Sequence, residues 1–245
     1  MRSVIPESAV RAVKRLQANG HKAYISTGRT RGYVTDTRLL SLGFDGILTG
    51  CGTRIELNNE VIYEHTLSRD LATRTVDAVR RYGFRPILEG PEYLYMDYDD
   101  FKDDLYGRKV MKDLGEHLQP IKENYGKWRI SKLSCDMTGC DKDSCYRELR
   151  DDFDIIEHND TIAEIVPKGF NKGTGLLKLC ELIDIDIKDT IVLGDGANDV
   201  DIFKVAGFSI AMGSGSPLAK EAADYVTTGL HEDGVMNALE HLKLI

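Results

Sequence analysis

Apolar residues recur at helical spacing from Pro6 to Gly20, with Val10, Val13 and Leu16 on one face and Asn19-Gly20 as a stop. The period then shortens. His21 to Ser26 reads as a strand closing at Thr27-Gly28-Arg29, a helix is expected from about Gly32 to Ser41, and Gly46 to Thr49 is a second strand. The same alternation returns far downstream: a helix from Gly173 to Ile183, the apolar strand Thr190-Ile191-Val192-Leu193, a helix from Asp199 to Val205 and a strand from Phe208 to Met212. Helices alternating with apolar strands predict a parallel sheet covered on both faces, a doubly wound, Rossmann-like α/β core.

Between these blocks the pattern is mixed. Ile55 to Thr66 predicts a hairpin around Asn58-Asn59, Leu71 to Tyr82 a helix, and Arg85 to Leu88 and Tyr93 to Asp97 two strands. A helical stretch from Asp113 to Tyr125, a strand from Arg129 to Cys135, a helix near Ser144 to Asp151, and strands Asp154 to Glu157 and Thr161 to Val166 complete it. An α+β module inserted into the α/β core is expected, with crossings near Leu67 and Pro167. The expected division is therefore 1–66 and 168–245 for the core and 67–167 for the insert.

Composition supports a folded chain with a proper core: 42% of the 245 residues are hydrophobic and 29% charged. Net charge is -8, with 40 acidic against 32 basic residues and no long basic run, which argues against a nucleic-acid partner. No apolar run approaches the roughly 18 to 20 residues that span a bilayer. Met1-Arg2-Ser3 leads straight into an amphipathic pattern unlike a signal peptide, so a soluble, cytoplasmic protein without membrane partners is expected, as monomer or homodimer. Cys51 and Cys180 sit in apolar runs as expected reduced thiols. Cys135, Cys140 and Cys145 recur every five residues, a spacing open to zinc but without paired Cys-x-x-Cys knuckles; unlinked thiols are the preferred reading.

Three segments carry candidate chemistry. Gly194-Asp195-Gly196-Ala197-Asn198-Asp199 lies between an apolar strand and a helix, where loops at strand carboxyl ends form the ligand crevice of a parallel sheet. Two carboxylates there can hold a hard cation such as magnesium, although a Gly-rich turn with Asp199 as helix cap has the same sequence. Thr27-Gly28-Arg29, at another strand end, offers a hydroxyl, free amides and a cation to a phosphoryl group, or is an ordinary turn. Lys172 opens a helix, where a cation opposes the macrodipole and calls for an anionic neighbour, unless it is merely solvated.

The order of these segments around an inserted module resembles the haloacid dehalogenase superfamily, in particular its Cof-type (subclass IIB) sugar-phosphate phosphatases. Gly50-Cys51-Gly52-Thr53, Ala206-Gly207, Ala211-Met212-Gly213, Ala222-Ala223-Asp224-Tyr225-Val226-Thr227 and Glu232-Asp233-Gly234-Val235 add to the likeness, with Cys51 standing where the family usually has Asn. The resemblance implies a magnesium-dependent phosphate monoester hydrolase acting on small phosphorylated metabolites such as sugar phosphates. Thr27, Gly28, Lys172 and Asn198 would bind the phosphoryl group, with Thr27 and Lys172 catalytic. Asp195 and Asp199 would serve the metal, and the insert would be a cap that excludes water and selects the leaving group.

The resembled family opens on a strand ending in Asp-x-Asp-Gly-Thr, whose first Asp attacks phosphorus and whose second is the general acid and base. No such segment occurs here. Asp97-Tyr98-Asp99, Asp141-Lys142-Asp143, Asp152-Phe153-Asp154, Asp184-Ile185-Asp186 and Asp199-Val200-Asp201 all lack the Gly-Thr. The expectation is that the natural protein carries about 15 to 20 further residues, a strand plus its loop, and that the sequence as given is inactive. A pseudoenzyme that keeps a phosphate and magnesium pocket, or a regulatory binding module, is the alternative.

Overall fold

The computed structural model describes residues 5–102 and 105–245; the expectation placed on Met1-Arg2-Ser3 lies outside them. The first core segment runs α1 (Glu7–Ala18), β1 (Tyr24–Ser26), α2 (Thr37–Leu40), β2 (Gly46–Thr49), β3 (Arg54–Leu57) and β4 (Glu60–Glu64). The insert holds α3 (Arg69–Arg81), β5 (Arg85–Glu89), β6 (Leu94–Tyr95), α4 (Tyr98–Phe101), α5 (Leu105–Leu114), β7 (Leu118–Gln119), β8 (Lys132–Asp136), α6 (Lys142–Leu149), β9 (Phe153–Asn159) and β10 (Ile162–Pro167). The chain then returns through α7 (Lys172–Ile183), β11 (Ile191–Gly194), α8 (Val200–Val205), β12 (Phe208–Ala211), α9 (Pro217–Ala222), β13 (Tyr225–Val226) and α10 (Gly234–His241).

Core strands form two sheets. In one, β1 pairs with β2 in parallel and the β3–β4 hairpin continues it antiparallel, turning through Asn58 and Asn59 at positive φ. The other is the parallel trio β11-β12-β13. A shared apolar cluster joins the two: Leu48 and Ile55 pack with Leu176 and Leu179 of α7, Ile202 and Phe203 of α8, and Ala211 of β12. At the chain's two ends α1 lies against α10, with Arg15 to Glu240 at 3.0 Å.

The insert has one six-stranded sheet in the order β7-β6-β5-β8-β10-β9. One face carries the largest core cluster, in which Val76, Val79, Leu133, Ile165 and Cys145 are buried under α3 and α6. Ile87, Leu94 and Met96 pack on the other face against Phe101, Val110 and Leu114 of α4 and α5. The two chain crossings touch: His65 stacks on Phe170, ring centroids 4.5 Å apart.

Two expected helices differ. Over Gly32 to Ser41 the chain makes a short 3-10 turn at Arg31–Tyr33 and then α2, because Thr35 N–H donates to Tyr33 O at 3.1 Å in a tight turn at Val34, after which Asp36 accepts from Arg38 N–H and starts a new helix. Over Asp113 to Tyr125 the helix ends at Leu114, where Gly115 takes φ 50°, and two 3-10 turns flank the two-residue β7.

Candidate active site at the strand ends

Three loops converge at the carboxyl ends of β1 and β11. Thr27 follows β1 and is half-buried; its amide donates to Leu48 O at 2.9 Å, and its hydroxyl oxygen accepts from Arg29 N–H at 3.2 Å. The Thr27 hydroxyl proton therefore remains available to a ligand oxygen. Gly28 has no room to spare: a Cβ there would sit 3.4 Å from Cys51 Sγ and 3.7 Å from Asn198 Nδ2. That closeness brings the Thr27-Gly28 turn beside the Gly194–Asp199 loop, two segments about 170 positions apart by their numbering.

Lys172 is delivered by α7. Asn171 caps this helix, accepting from Thr174 N–H at 2.8 Å while Thr174 Oγ1 accepts from Asn171 N–H at 3.0 Å. The helix lies close against the Gly50–Gly52 turn because Gly52, at φ 87°, faces Gly175, where a Cβ on either would fall below 3 Å from the other's Cα. Lys172 is thereby buried, and its Nζ stands 2.6 Å from Asp199 Oδ1 and 3.4 Å from Asn198 Oδ1. The anionic neighbour that a cation at a helix start calls for is Asp199.

Asp199 is itself fully engaged. Its second oxygen accepts from the amides of Asp195 and Gly196, both at 2.9 Å, so one buried carboxylate ties the loop backbone to Lys172. Gly194 makes this possible, since a Cβ there would lie 2.5 Å from the Asp199 carboxyl carbon. Asp195, by contrast, is exposed and its carboxylate accepts no hydrogen bond from a described residue. For a magnesium ion, which uses one or two carboxylates and keeps several waters, Asp195 fits as a direct ligand. Asp199 fits only through water unless it releases Lys172 or the amides. Among the described residues no group of three or more His, Cys, Asp or Glu side chains is arranged to hold a metal.

The remaining candidates fall elsewhere. Cys135 and Cys145 are buried and Cys140 is half-buried, all as free thiols. Burial pushes the Cys145 thiol up to about 12 and Cys135 well above its usual range, the opposite of the thiolate that zinc requires. Of the Asp-x-Asp pairs, Asp97 is buried on Arg80 at 2.6 Å, Asp141 caps α6 and Asp186 accepts from Lys188 N–H. Trp128 and Tyr95 belong to the insert's core, the indole N–H donating to Ile121 O at 3.1 Å.

Polar side chains of the insert also reach this region, and the sequence reading did not single them out. Thr30, three residues past Thr27, donates to Glu89 Oε2 at 3.3 Å, and Gly32 N–H donates to Gly90 O at 3.2 Å. The available signal was Lys132, a charge in the middle of an apolar strand whose alternate positions are polar.

The family described as haloacid dehalogenase-like hydrolase matches residues 2–239. "Putative phosphatase YkrA" of Bacillus subtilis (strain 168) is 27% identical over 98% of this chain and 92% of its own length. A phosphoglycolate phosphatase of Methanosarcina acetivorans is 44% identical over 30% of this chain, a stretch that spans only 32% of that enzyme. The solved structure of the subclass IIB sugar phosphatase BT4131 superposes with a TM-score of 0.78 at 22% identity, over 98% of this chain and 92% of that one, which shows a shared fold with a capped core.

Proposed function

Because this chain belongs to the haloacid dehalogenase-like hydrolases, we propose that it is a magnesium-dependent phosphatase of small phosphorylated metabolites such as sugar phosphates. The observation that supports this reading best is the convergence of Thr27-Gly28, Lys172 and the Asp195–Asp199 loop around one point at the strand ends.

In this reading the Thr27 hydroxyl and the Gly28 amide bind phosphoryl oxygens, and the Lys172 ammonium offsets charge that accumulates on them as phosphorus is attacked. Asn198 orients the phosphate from the opposite loop. Asp199 holds Lys172 and the loop amides in place before the ligand arrives, so no reorganisation is required during the reaction. Magnesium, held by Asp195 with Asp199 behind it, would supply further neutralisation of the phosphoryl oxygens. Among the described residues β1 and β11 each pair on one side only, so the strand ends that carry Thr27 and the Asp195–Asp199 loop both lie at sheet edges. The insert is the cap.

The test is hydrolysis of an aryl phosphate with magnesium and with EDTA, by the 245-residue chain and by a version extended with a strand ending in Asp-x-Asp-Gly-Thr. Turnover by the extended version alone, abolished by EDTA, is the expected result. Turnover by neither overturns the phosphatase reading, and turnover by the shorter chain overturns the placement of the nucleophile.

A further inference from the structure

The turn that follows β2 has an unusual backbone. Gly50, Cys51 and Gly52 take φ of 61°, 58° and 87° in succession. Space accounts for the two glycines: a Cβ on Gly50 would fall well below 3 Å from Thr53 Oγ1, and one on Gly52 would meet Gly175 of α7 just as closely. Cys51 alone carries a side chain, in a left-handed conformation that crowds an L-residue and does not crowd glycine. A strained non-glycine between two glycines points to a use for its side chain.

That side chain faces the Thr27-Gly28-Arg29 turn. Gly50 N–H donates to Arg29 O at 2.8 Å and Cys51 N–H to Thr27 O at 3.3 Å, while Cys51 Sγ stands 3.9 Å from Gly28 O, within the longer reach of a weak thiol donor. Three successive carbonyls thus face one neighbouring turn. In a trans peptide the carbonyl and the following N–H point in opposite directions. With Thr27 O facing the Cys51 amide, the Gly28 N–H points away from the Gly50–Gly52 turn, and it meets no acceptor among the described residues. With Gly28 O facing the thiol, the Arg29 N–H also points away and is donated to the Thr27 hydroxyl oxygen. Cys51 is 6% exposed, and burial pushes its thiol up to about 11 against the pull of Lys132 and Lys172, so the sulfur keeps its proton at neutral pH.

We propose that Cys51 is a positioning residue, whose amide and thiol hold the Thr27-Gly28-Arg29 turn in the orientation that offers the Gly28 N–H and the Thr27 hydroxyl together to a phosphoryl oxygen. It acts through those two groups. The same turn rests on α7 through Gly52 and Gly175, which fixes the Thr27 turn against the helix that delivers Lys172. The proposal rests on the phosphate site described under the proposed function, and it makes no use of turnover.

The experiment is an NMR titration of the isotope-labelled 245-residue chain with inorganic phosphate in the presence of magnesium, in the wild type, Cys51→Gly, Cys51→Ala and Cys51→Ser. Native-state resonances report folded molecules only, so lost stability in a variant does not imitate lost affinity. Glycine relieves the crowding and alanine keeps it, so an effect common to both belongs to the missing sulfur. Serine keeps a donor. The expected result is phosphate affinity several-fold weaker in Cys51→Gly and Cys51→Ala, the scale of one neutral hydrogen bond, with the Gly28 carbonyl resonance displaced before phosphate is added. Cys51→Ser should recover both toward the wild type. Unchanged affinity in Cys51→Gly and Cys51→Ala, or a Cys51→Ser as weak as they are, overturns the role of Cys51 and leaves the phosphate site standing. No phosphate binding by the wild type overturns the site and this proposal together.

Discussion

Lys172 in the core and Lys132 in the cap are both buried, and they are held differently. Among the described residues Lys172 has one carboxylate partner, Asp199, whose other oxygen is fixed by two backbone amides. Lys132 has two carboxylates, and these in turn lean on Ser134, Thr30 and His158. In the core a charged pair organises a loop and leaves the ammonium beside Asn198, at the edge of the proposed phosphate site. In the insert the charges organise one another.

The comparison breaks most sharply at Lys172. Lys172→Met should lower aryl phosphate turnover, in whichever form of the chain shows it, by on the order of a thousandfold, the scale for losing a group aimed at developing charge. The same change leaves Asp199 buried without its counter-ion, and the urea midpoint should fall by the equivalent of about 3 to 5 kcal/mol. A variant that loses stability but keeps turnover would place Lys172 outside the site.

Next comes acid stability in Lys132→Met. Burial alone would raise the Glu164 pKa, but its bonds to His158 and Lys132 prevail and hold it below the ordinary range. The stability this provides is fully present above the unfolded value of about 4.3 and is lost as pH falls through the depressed folded value. Wild-type stability should therefore decline below about pH 4.5 more steeply than that of Lys132→Met, in which the carboxylates have lost their ammonium. Parallel pH profiles of urea unfolding would remove Lys132 from the balance.

The smallest expected effect is at His158. The hydrogen bond to Glu164 raises the His158 pKa, so its contribution is fully present below the unfolded value of about 6.5 and is lost as pH rises through the folded one. An NMR titration should show His158 above the ordinary imidazole range in the wild type and returning toward it in Glu164→Gln.

The core loops were legible because their signals are local. Gly-Asp-Gly after an apolar run marks a strand end, Asn171 three residues before Thr174 marks a helix start, and each is a few residues long. What Asp199 does was not legible, since its partners are chosen by how Gly194 lets the carboxylate fold back under the loop. The cap face was missed for a related reason: Glu89, Lys132 and Glu164 come from three strands, and only the register between them makes a cluster. The expected helix over Asp113 to Tyr125 failed at Gly115, whose positive φ overrides an apolar spacing that continues past it. Among the cap's aromatics, Trp128 went to the core once the indole N–H found the Ile121 carbonyl.

The His65–Phe170 stack has a mechanical meaning. Two separate linkers would let an inserted domain twist, slide or tilt. Here the outgoing and returning chain are pressed ring to ring, and the outgoing one is tied to β8's approach by Leu67 N–H to Ile130 O and by Ser131 Oγ to His65 O. Fastened side by side, the two crossings make one bridge between insert and core, and the Thr30–Glu89 and Gly32–Gly90 hydrogen bonds give the insert a second hold on the first core segment.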